Sequence, residues 1–191
     1  MASRSRPPSE GRQIALNARR ILIYGVTGAG KTTLARNLSE RTGIPWHSVD
    51  DLAWNPGWEQ VLLEQQIERI IEITNGDSWI LDTAYAKWVD IPLARVQLIV
   101  GLDYPRWLSL GRLTNRTVRR LFDKKPICNG NLESLKTFFS KDAILLWHFQ
   151  SFARKRDRMR AWKDEGRDVV LLKTQKEADQ FLSSACAELD G

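Results

Sequence analysis

The sequence has few of the side chains from which metal centres and disulfide frameworks are built. It contains two cysteines, Cys128 and Cys186, and two histidines, His47 and His148, with no CxxC pair. A structural zinc site takes several such ligands at short spacings, and a disulfide scaffold takes several cysteine pairs. We therefore expect neither, and we interpret both cysteines as reduced.

Long apolar runs are also missing. No stretch approaches the ~18 consecutive apolar residues of a membrane-spanning helix, and the first residues lack the apolar segment of a signal peptide. Hydrophobic residues make up 42% and charged residues 27% of the 191 residues, which is the balance of a globular protein. Because this length suffices for one sizeable core and not for two, we predict one cytoplasmic domain without a membrane partner.

The charge balance favours an anionic partner. Lys and Arg outnumber Asp and Glu by 29 to 23, for a formal net charge of +6. Phosphate-rich small molecules and nucleic acids satisfy this charge equally well, so the charge alone does not choose between them.

Two parts of the chain differ in composition. Residues 1–18 are rich in Ser, Arg, Pro and Gly and poor in apolar side chains, and we predict a flexible leader there. In residues 19–191, short apolar runs alternate with amphipathic segments of helix length, which predicts a single α/β domain with a parallel sheet covered on both faces. The predicted strands are residues 21–24, 46–49, 79–81, 96–102 and 169–172.

Helix boundaries are marked by local signals. The predicted helix 31–41 ends at Gly43, which fits a C-terminal glycine cap. Thr174 and Glu177 have the spacing of a capping box at the start of the last helix. Between them, the apolar stripe of another helix is formed by Leu63, Ile67, Ile70 and Ile71.

One stretch, at about residues 121–133, interrupts this alternation with Asp, Lys, Pro, Asn and Gly. Long loops in compact domains are either functional lids or disordered segments. We predict a short lid insertion here.

Residues 25–32 spell GVTGAGKT, which matches the phosphate-loop pattern G-x-x-x-x-G-K-[ST] between a predicted strand and a predicted helix. Glycines let backbone N–H groups curl around phosphates, and the helix N-terminus adds a positive dipole. We expect Lys31 to contact the β- and γ-phosphates and to be a catalytic residue. The Thr32 hydroxyl is expected to bind Mg²⁺. The predicted nucleotide contacts are Gly25, Thr27, Gly28, Ala29, Gly30, Lys31, Thr32 and Thr33.

Longer motifs resemble one family. These are GVTGAGKTT at 25–33, IPWHSVDDLAWNPGW at 44–58, SWILDTAY at 78–85, LDYPRWLSLGR at 102–112 and FARKRDR at 152–158. Together they resemble the topology modulation proteins, which are adenylate-kinase-like P-loop proteins related to small-molecule kinases. The resemblance covers about residues 20–182.

This resemblance implies a three-layer P-loop NTPase fold with five parallel strands in the order 2-3-1-4-5. It also implies ATP as the nucleotide. This choice comes from the resemblance alone, because residues 173–175, where adenine would stack, carry no base-specific signature. One departure concerns Asp82-Thr83-Ala84, where such proteins usually have Asp-Gly-Asn. The threonine puts in doubt a close approach of backbone to substrate at this point.

Aspartates follow three of the predicted strands, at the sheet edge where the phosphate loop lies. Asp82 has the Walker B position, and we expect it to support Mg²⁺ through water or Thr32. Asp50 and Asp51 are candidates to orient or deprotonate an acceptor hydroxyl, or to contact metal or substrate, and which residue is the base stays open. Asp103 precedes Tyr-Pro and is interpreted as a helix cap.

Trp54 and Trp58 follow the acidic pair, where a substrate-binding segment would lie in the resembling kinases. They are candidates for an aromatic wall against a base or sugar. Anchoring of a loop to the core explains them equally well.

Arginines cluster on both sides of the predicted lid. Arg112, Arg116 and Arg119 recur at i, i+4 and i+7 and therefore share one helix face. Beyond the lid, the pair Arg154 and Arg158 lies on a different face from the pair Arg156 and Arg160, and we favour the first pair at the site. Arg116 and Arg154 are the candidates for stabilising the migrating phosphoryl group, and Arg112, Arg119 and Arg158 for binding substrate.

The leading hypothesis is an ATP- and Mg²⁺-dependent phosphotransferase, a P-loop kinase for a small-molecule or nucleotide acceptor. The alternative is a P-loop nucleotide-binding regulator that contacts nucleic acid through its basic helices, although no helix-turn-helix or zinc-finger pattern is present. With no large apolar stripe left unassigned, a monomer is the default expectation.

Overall fold

The computed structural model describes residues 17–57, 59–123 and 141–185, with side chains described at 17–57, 59–116 and 151–185. Five parallel strands form the central sheet, in the order β2-β5-β1-β6-β7. Their bounds are Arg20–Gly25 (β1), Trp46–His47 (β2), Trp79–Leu81 (β5), Leu98–Leu102 (β6) and Val169–Leu172 (β7). When these five strands are numbered along the chain, this is the predicted order 2-3-1-4-5, which is confirmed.

The second strand is shorter than predicted. It ends at His47, and the predicted strand residue Val49 instead begins helix α2 (Val49–Ala53). The cause is Ser48, whose side chain accepts a hydrogen bond from the Asp51 N–H and so caps the helix. Asp50 and Asp51 therefore lie in the first turn of a helix, one turn beyond the strand end where we expected them.

A two-stranded hairpin follows α2, and nothing in the periodicity predicted it. Strands β3 (Trp54–Asn55) and β4 (Glu59–Gln60) pair antiparallel, with Trp54 opposite Gln60. Gly57 lies in the turn with φ 84°, a left-handed conformation that favours glycine. Trp58, one of the two predicted aromatic contacts, lies outside the described residues.

The remaining helices fill the connections between strands. Their bounds are Lys31–Thr42 (α1), Leu63–Asn75 (α3), Asp90–Leu93 (α4), Arg106–Asp123 (α5), Lys141–Asp164 (α6) and Gln175–Ser184 (α7). The predicted cap of α1 is confirmed, since the Gly43 N–H donates to the Ser39 carbonyl at 2.9 Å. The predicted capping box of α7 is confirmed as well, because Thr174 accepts from the Glu177 N–H while the Glu177 carboxylate accepts from the Lys173 N–H.

The predicted stripe of α3 is only partly buried. Ile70 is buried at 1% exposure, but Ile71 is 42% exposed, and the polar side chains Gln66 and Thr74 take core positions. Each buried polar group has a local partner: Gln66 donates to the Val61 carbonyl and Thr74 to the Ile70 carbonyl. The helix is thus rotated relative to the face that its apolar residues predicted.

Apolar side chains pack on both faces of the sheet, which gives three layers. Along β1, Ile21 and Ile23 belong to one core cluster and Leu22 and Tyr24 to the other, as the period of a strand requires. The first cluster is covered by α1 and α7, and the second by α3 and the C-terminal part of α6. The carboxyl ends of all five parallel strands consequently meet at one edge of the sheet.

The two predicted segments outside this core are only partly described. Ala18, the predicted last residue of the leader, is buried at 6% exposure, while residues 1–16 lie outside the described residues. Helix α5 continues to Asp123, and the rest of the predicted insertion, residues 124–133, also lies outside them. Within the described part of the chain, no helix combines the length and apolarity needed to cross a membrane.

Candidate active site

The phosphate loop connects β1 to α1 at the carboxyl edge of the sheet. Its turn is closed by the Ala29 N–H, which donates to the Val26 carbonyl at 3.2 Å. Gly28 has φ 81°, and a Cβ at this position would lie 2.5 Å from the Ser109 backbone oxygen and 2.9 Å from the Leu113 Cβ. Helix α5 therefore packs directly against the loop, in space that only glycine leaves open.

Replacing Gly28 by alanine is expected to destabilise the protein by about 2–4 kcal/mol, since it combines a strained φ with a contact against immovable backbone. The matched control is Gly43→Ala, which shares a positive φ of 67° but meets nothing within 4 Å. Urea unfolding of both variants separates the two effects. Equal losses of unfolding free energy would contradict a steric role of the α5 contact.

Lys31 lies inside the loop rather than extended into solvent. Its Nζ donates to the Val26 carbonyl at 3.1 Å. Burial lowers the pKa of Lys31, and the carboxylates of Asp50 and Asp82 oppose this shift because they stabilise the ammonium. The lysine is thus placed near two acidic groups, one in the first turn of α2 and one directly after β5.

Asp82 links the loop to α2. Its Oδ2 accepts a hydrogen bond from the Thr32 hydroxyl at 2.8 Å and its Oδ1 accepts one from the Val49 N–H at 3.0 Å, with the residue only 4% exposed. Burial raises the pKa of this carboxyl, and the two hydrogen bonds partly oppose the shift. Because Thr32 donates its proton to Asp82, the lone pairs of its oxygen are oriented for a cation.

The oxygens of Thr32 and Asp82 suit Mg²⁺, which prefers hard oxygen ligands and retains several waters when it binds with phosphates. Among the described residues, no group of three or more His, Cys, Asp and Glu side chains is placed to hold a metal ion by itself. The donor set therefore fits a metal that arrives with a nucleotide, and does not resemble a dedicated protein cage.

Asp50 reaches the same region from the first turn of α2. Its Oδ1 accepts a hydrogen bond from the Tyr85 hydroxyl at 2.7 Å, and its charge acts on both Lys31 and Lys155. Asp51 is exposed on the neighbouring position of the helix. Tyr85 was not among the predicted site residues, although it lies three positions beyond Asp82.

Arg112 joins the phosphate loop to the first residue of α7. One guanidinium nitrogen donates to the Ala29 carbonyl at 3.2 Å and another to the Gln175 Oε1 at 2.7 Å, and the guanidinium carbon lies 5.0 Å from the centre of the Tyr104 ring. Its predicted role in binding the acceptor substrate stays a prediction. Burial raises the pKa of the Tyr104 hydroxyl, and the arginine opposes the shift.

The two arginine pairs of α6 have different surroundings, as predicted. Arg156 and Arg160 form ion pairs with the buried carboxylate of Asp103, at 2.6 and 3.4 Å. The interpretation of Asp103 as a helix cap is replaced by this ionic contact between β6 and α6. Arg154 and Arg158 instead act electrostatically on Lys155.

Lys155 is the functional candidate that the sequence analysis missed. Its Nζ lies 3.5 Å from the Gly25 carbonyl oxygen, at the upper limit of a hydrogen bond, and 5.8 Å from the centre of the Tyr24 ring. Burial, reinforced by the charge of Lys31, lowers the pKa of Lys155 to about 7. In the sequence it stands in a run of basic residues, and no signal separates it from its neighbours.

Comparisons with known proteins agree with this architecture. A family model described as an AAA domain matches residues 21–91. A shikimate kinase from Bacteroides thetaiotaomicron superimposes with a TM-score of 0.53 at 11% identity, over 91% of this chain and 99% of that one. A gluconokinase from Sinorhizobium meliloti 1021 superimposes with a TM-score of 0.52 at 15% identity, over 89% of this chain and 90% of that one.

The chain has a three-layer α/β P-loop fold. The two superpositions establish the fold. At identities of 15% and 11% they say nothing about the substrate of this chain. Among curated proteins, none matches this sequence. Membership of the topology modulation family therefore stays a prediction.

The P-loop fold brings together most of the predicted site. Lys31, Thr32, Asp82 and Asp50 are joined by hydrogen bonds or by direct electrostatic influence, and Arg116 is close enough to lower the pKa of Lys31. Trp54 is half-buried in the hairpin beyond α2. The side chain of Arg119 lies outside the described ones, so its predicted contact stays a prediction.

Proposed function

We propose that this protein is an ATP- and Mg²⁺-dependent phosphotransferase for a small hydroxyl- or phosphate-bearing acceptor. The observation that carries the proposal is the Thr32–Asp82 hydrogen bond beside Lys31, with Asp50 in electrostatic reach of both charged groups. Hydroxyl, carboxylate and ammonium groups then surround the place where a P-loop holds terminal phosphates. Membership of the topology modulation family and a cytoplasmic location, where ATP is plentiful, belong to the same proposal.

The nucleotide would be held by the loop itself. Backbone N–H groups of the loop and the N-terminus of α1 would bind the phosphates, and Lys31 would exchange the Val26 carbonyl for phosphate oxygens. Thr32 and Asp82 would hold Mg²⁺, which supplies positive charge to the β- and γ-oxygens when bound. Arg112, already between the loop and Gln175, closes the nucleotide side.

The acceptor would enter on the side of α2. There the Tyr85 hydroxyl donates a hydrogen bond to Oδ1 of Asp50. This contact restrains the carboxylate, whose second oxygen would accept a hydrogen bond from an acceptor hydroxyl. Asp50 then orients this hydroxyl and accepts its proton as the oxygen attacks the phosphoryl group. For a phosphate acceptor, whose oxygen is already ionised, the same residue would have only a positioning role.

Asp50→Asn is expected to lower kcat by about 10²–10⁴-fold with a hydroxyl acceptor, because the amide cannot accept the proton. The KM for ATP should change by only a few-fold, since Asp50 is not part of the loop. Asp77→Asn, an exposed aspartate before β5, is the matched control, and Asp51→Asn tests the alternative base. If Asp51→Asn lost more activity than Asp50→Asn, the two roles would have to be exchanged.

The proposal is tested by ADP release from Mg·ATP across a panel of nucleosides, nucleoside monophosphates and small hydroxylated metabolites. Lys31→Ala serves as the blank. Release that an acceptor stimulates, and that the blank lacks, supports a kinase and names its substrate class. Release that no acceptor stimulates would remove the phosphotransferase proposal.

The rival hypothesis, a regulator that binds nucleic acid, relied on the basic helices. Two arginines of α6, Arg156 and Arg160, are committed to Asp103, which weakens the case for a basic stripe available to a phosphate backbone. We therefore retain the small-molecule kinase. A labelled duplex that binds at low salt and dissociates steeply towards physiological salt would favour the rival.

A further inference from the structure

Lys155 occupies an unusual place for a lysine. Helix α6 carries it across the carboxyl edge of β1, so that its ammonium lies against the carbonyl of Gly25, the first residue of the phosphate loop, and beside the face of Tyr24. The aromatic ring below is itself buried, at 2% exposure, and packs edge-on against Trp162 of the same helix. The position of the lysine stem is therefore set by the core.

The charges around Lys155 are mostly of its own sign. Lys31 faces it from α1, and Arg154 and Arg158 from its own helix, while the carboxylate of Asp50 in α2 partly offsets their effect. A half-buried cation close to other cations is stabilised when a further anion binds among them. Phosphate oxygens bound in the adjacent loop are anions of the required kind.

We propose that Lys155 is a second phosphate-contacting lysine of this site, whose ammonium leaves the Gly25 carbonyl and binds the transferring phosphoryl group opposite Lys31. The proposal rests on the proposed function. Its side of the site is indicated by Asp50, which acts on both lysines and is the residue that we expect to hold the acceptor. A cation at this place would stabilise the charge that spreads over the phosphoryl oxygens during transfer.

A consequence distinguishes Lys155 from a permanently charged arginine. With a pKa of about 7, the amine is largely neutral at pH 8 when the site is empty. Bound phosphate oxygens stabilise the ammonium and raise its pKa, so that binding of Mg·ATP should be accompanied by uptake of most of one proton. Titration calorimetry in two buffers of different ionisation enthalpy measures this uptake directly.

The test compares Lys155→Met and Lys155→Arg with Lys163→Met, an exposed lysine near the end of the same helix. For Lys155→Met we expect kcat to fall by about 10²-fold, the affinity for Mg·ATP to fall about tenfold and the proton uptake at pH 8 to decrease by most of one proton. Lys155→Arg should keep most of the affinity and show the same decrease in proton uptake. Lys163→Met should match the wild type in all three measurements.

Folding of the variants does not obscure this result. Methionine replaces the lysine stem by a chain of similar length and removes a buried amine, so the unfolding temperature of Lys155→Met at pH 7 should equal or exceed that of the wild type. Wild-type kcat, affinity and proton uptake in Lys155→Met, while Lys31→Ala loses binding, would overturn this proposal alone. Wild-type behaviour of Lys31→Ala would overturn the proposed function and this proposal with it.

Discussion

Replacing Lys31 by alanine is expected to lower acceptor-dependent ADP release by about 10²–10³-fold. The side chain lies within the loop, where its ammonium donates to the Val26 carbonyl, and a nucleotide would offer phosphate oxygens at the same place. Loss of one positive group that meets developing charge mainly slows the transfer step and also weakens nucleotide binding. Steady-state kinetics with the best acceptor of the panel gives both effects.

The control for this variant lies on the same helix. Arg36 is on the exposed side of α1, where it forms an i, i+4 contact of 4.0 Å with Glu40. Arg36→Ala removes a positive charge from the helix without removing one from the loop, and its kcat should stay within about twofold of the wild type. Equal losses of activity in Lys31→Ala and Arg36→Ala would mean that net charge, rather than a phosphate contact, explains the effect.

Asp82→Asn is expected to lower Mg²⁺-dependent kcat by about 10²–10³-fold while leaving the fold intact. The asparagine carbonyl can still accept from the Val49 N–H, and its amide can donate to the Thr32 hydroxyl, so both hydrogen bonds of Asp82 have a replacement. What disappears is the negative charge beside the metal position. Activity measured against Mg²⁺ concentration should therefore show a weaker apparent affinity for Mg²⁺. Excess Mg²⁺ should not restore kcat to the wild-type value.

Asp103→Asn is the matched comparison because Asp103 is equally buried, at 3% against 4% exposure, and also follows a strand of the sheet. Its carboxylate pairs with Arg156 and Arg160, and loss of its charge should destabilise the protein by about 1–3 kcal/mol. The two variants should thus show opposite profiles, one losing catalysis and the other stability. If Asp82→Asn lost stability and kept catalysis, Asp82 would be a structural residue.

Local sequence signals predicted where the phosphate loop and Asp82 lie in the fold. The glycines and Lys31 lie in one short contiguous segment that the motif identifies. Asp82 follows a buried strand whose carboxyl end lies at the same edge of the sheet. The strand order and the caps at Gly43 and Thr174 were predicted on similarly local or topological grounds. These features depend little on how helices are rotated against the sheet.

Features that depend on helix rotation and on individual side-chain contacts were not predictable. Strand β2 is shorter than predicted because the Ser48 hydroxyl caps a helix instead of continuing the strand. Asp50 therefore lies on that helix. Arg112 and Lys155 both contact carbonyls of the phosphate loop, although periodicity alone gave no reason to separate them from neighbouring cations. The contact of Tyr85 with Asp50 likewise joins residues 35 positions apart in the sequence.

Transfer of the γ-phosphoryl group of labelled ATP to the best acceptor of the panel is the most direct measure of phosphotransferase activity. We expect labelled product with the wild type and Mg²⁺, and a rate lower by about 10²–10³-fold with Lys31→Ala or Asp82→Asn. Chelation of the metal should stop the transfer. Tight binding of Mg·ATP with no label in any acceptor, or transfer that is unchanged in Lys31→Ala, would contradict the assignment of this loop as a phosphotransferase site.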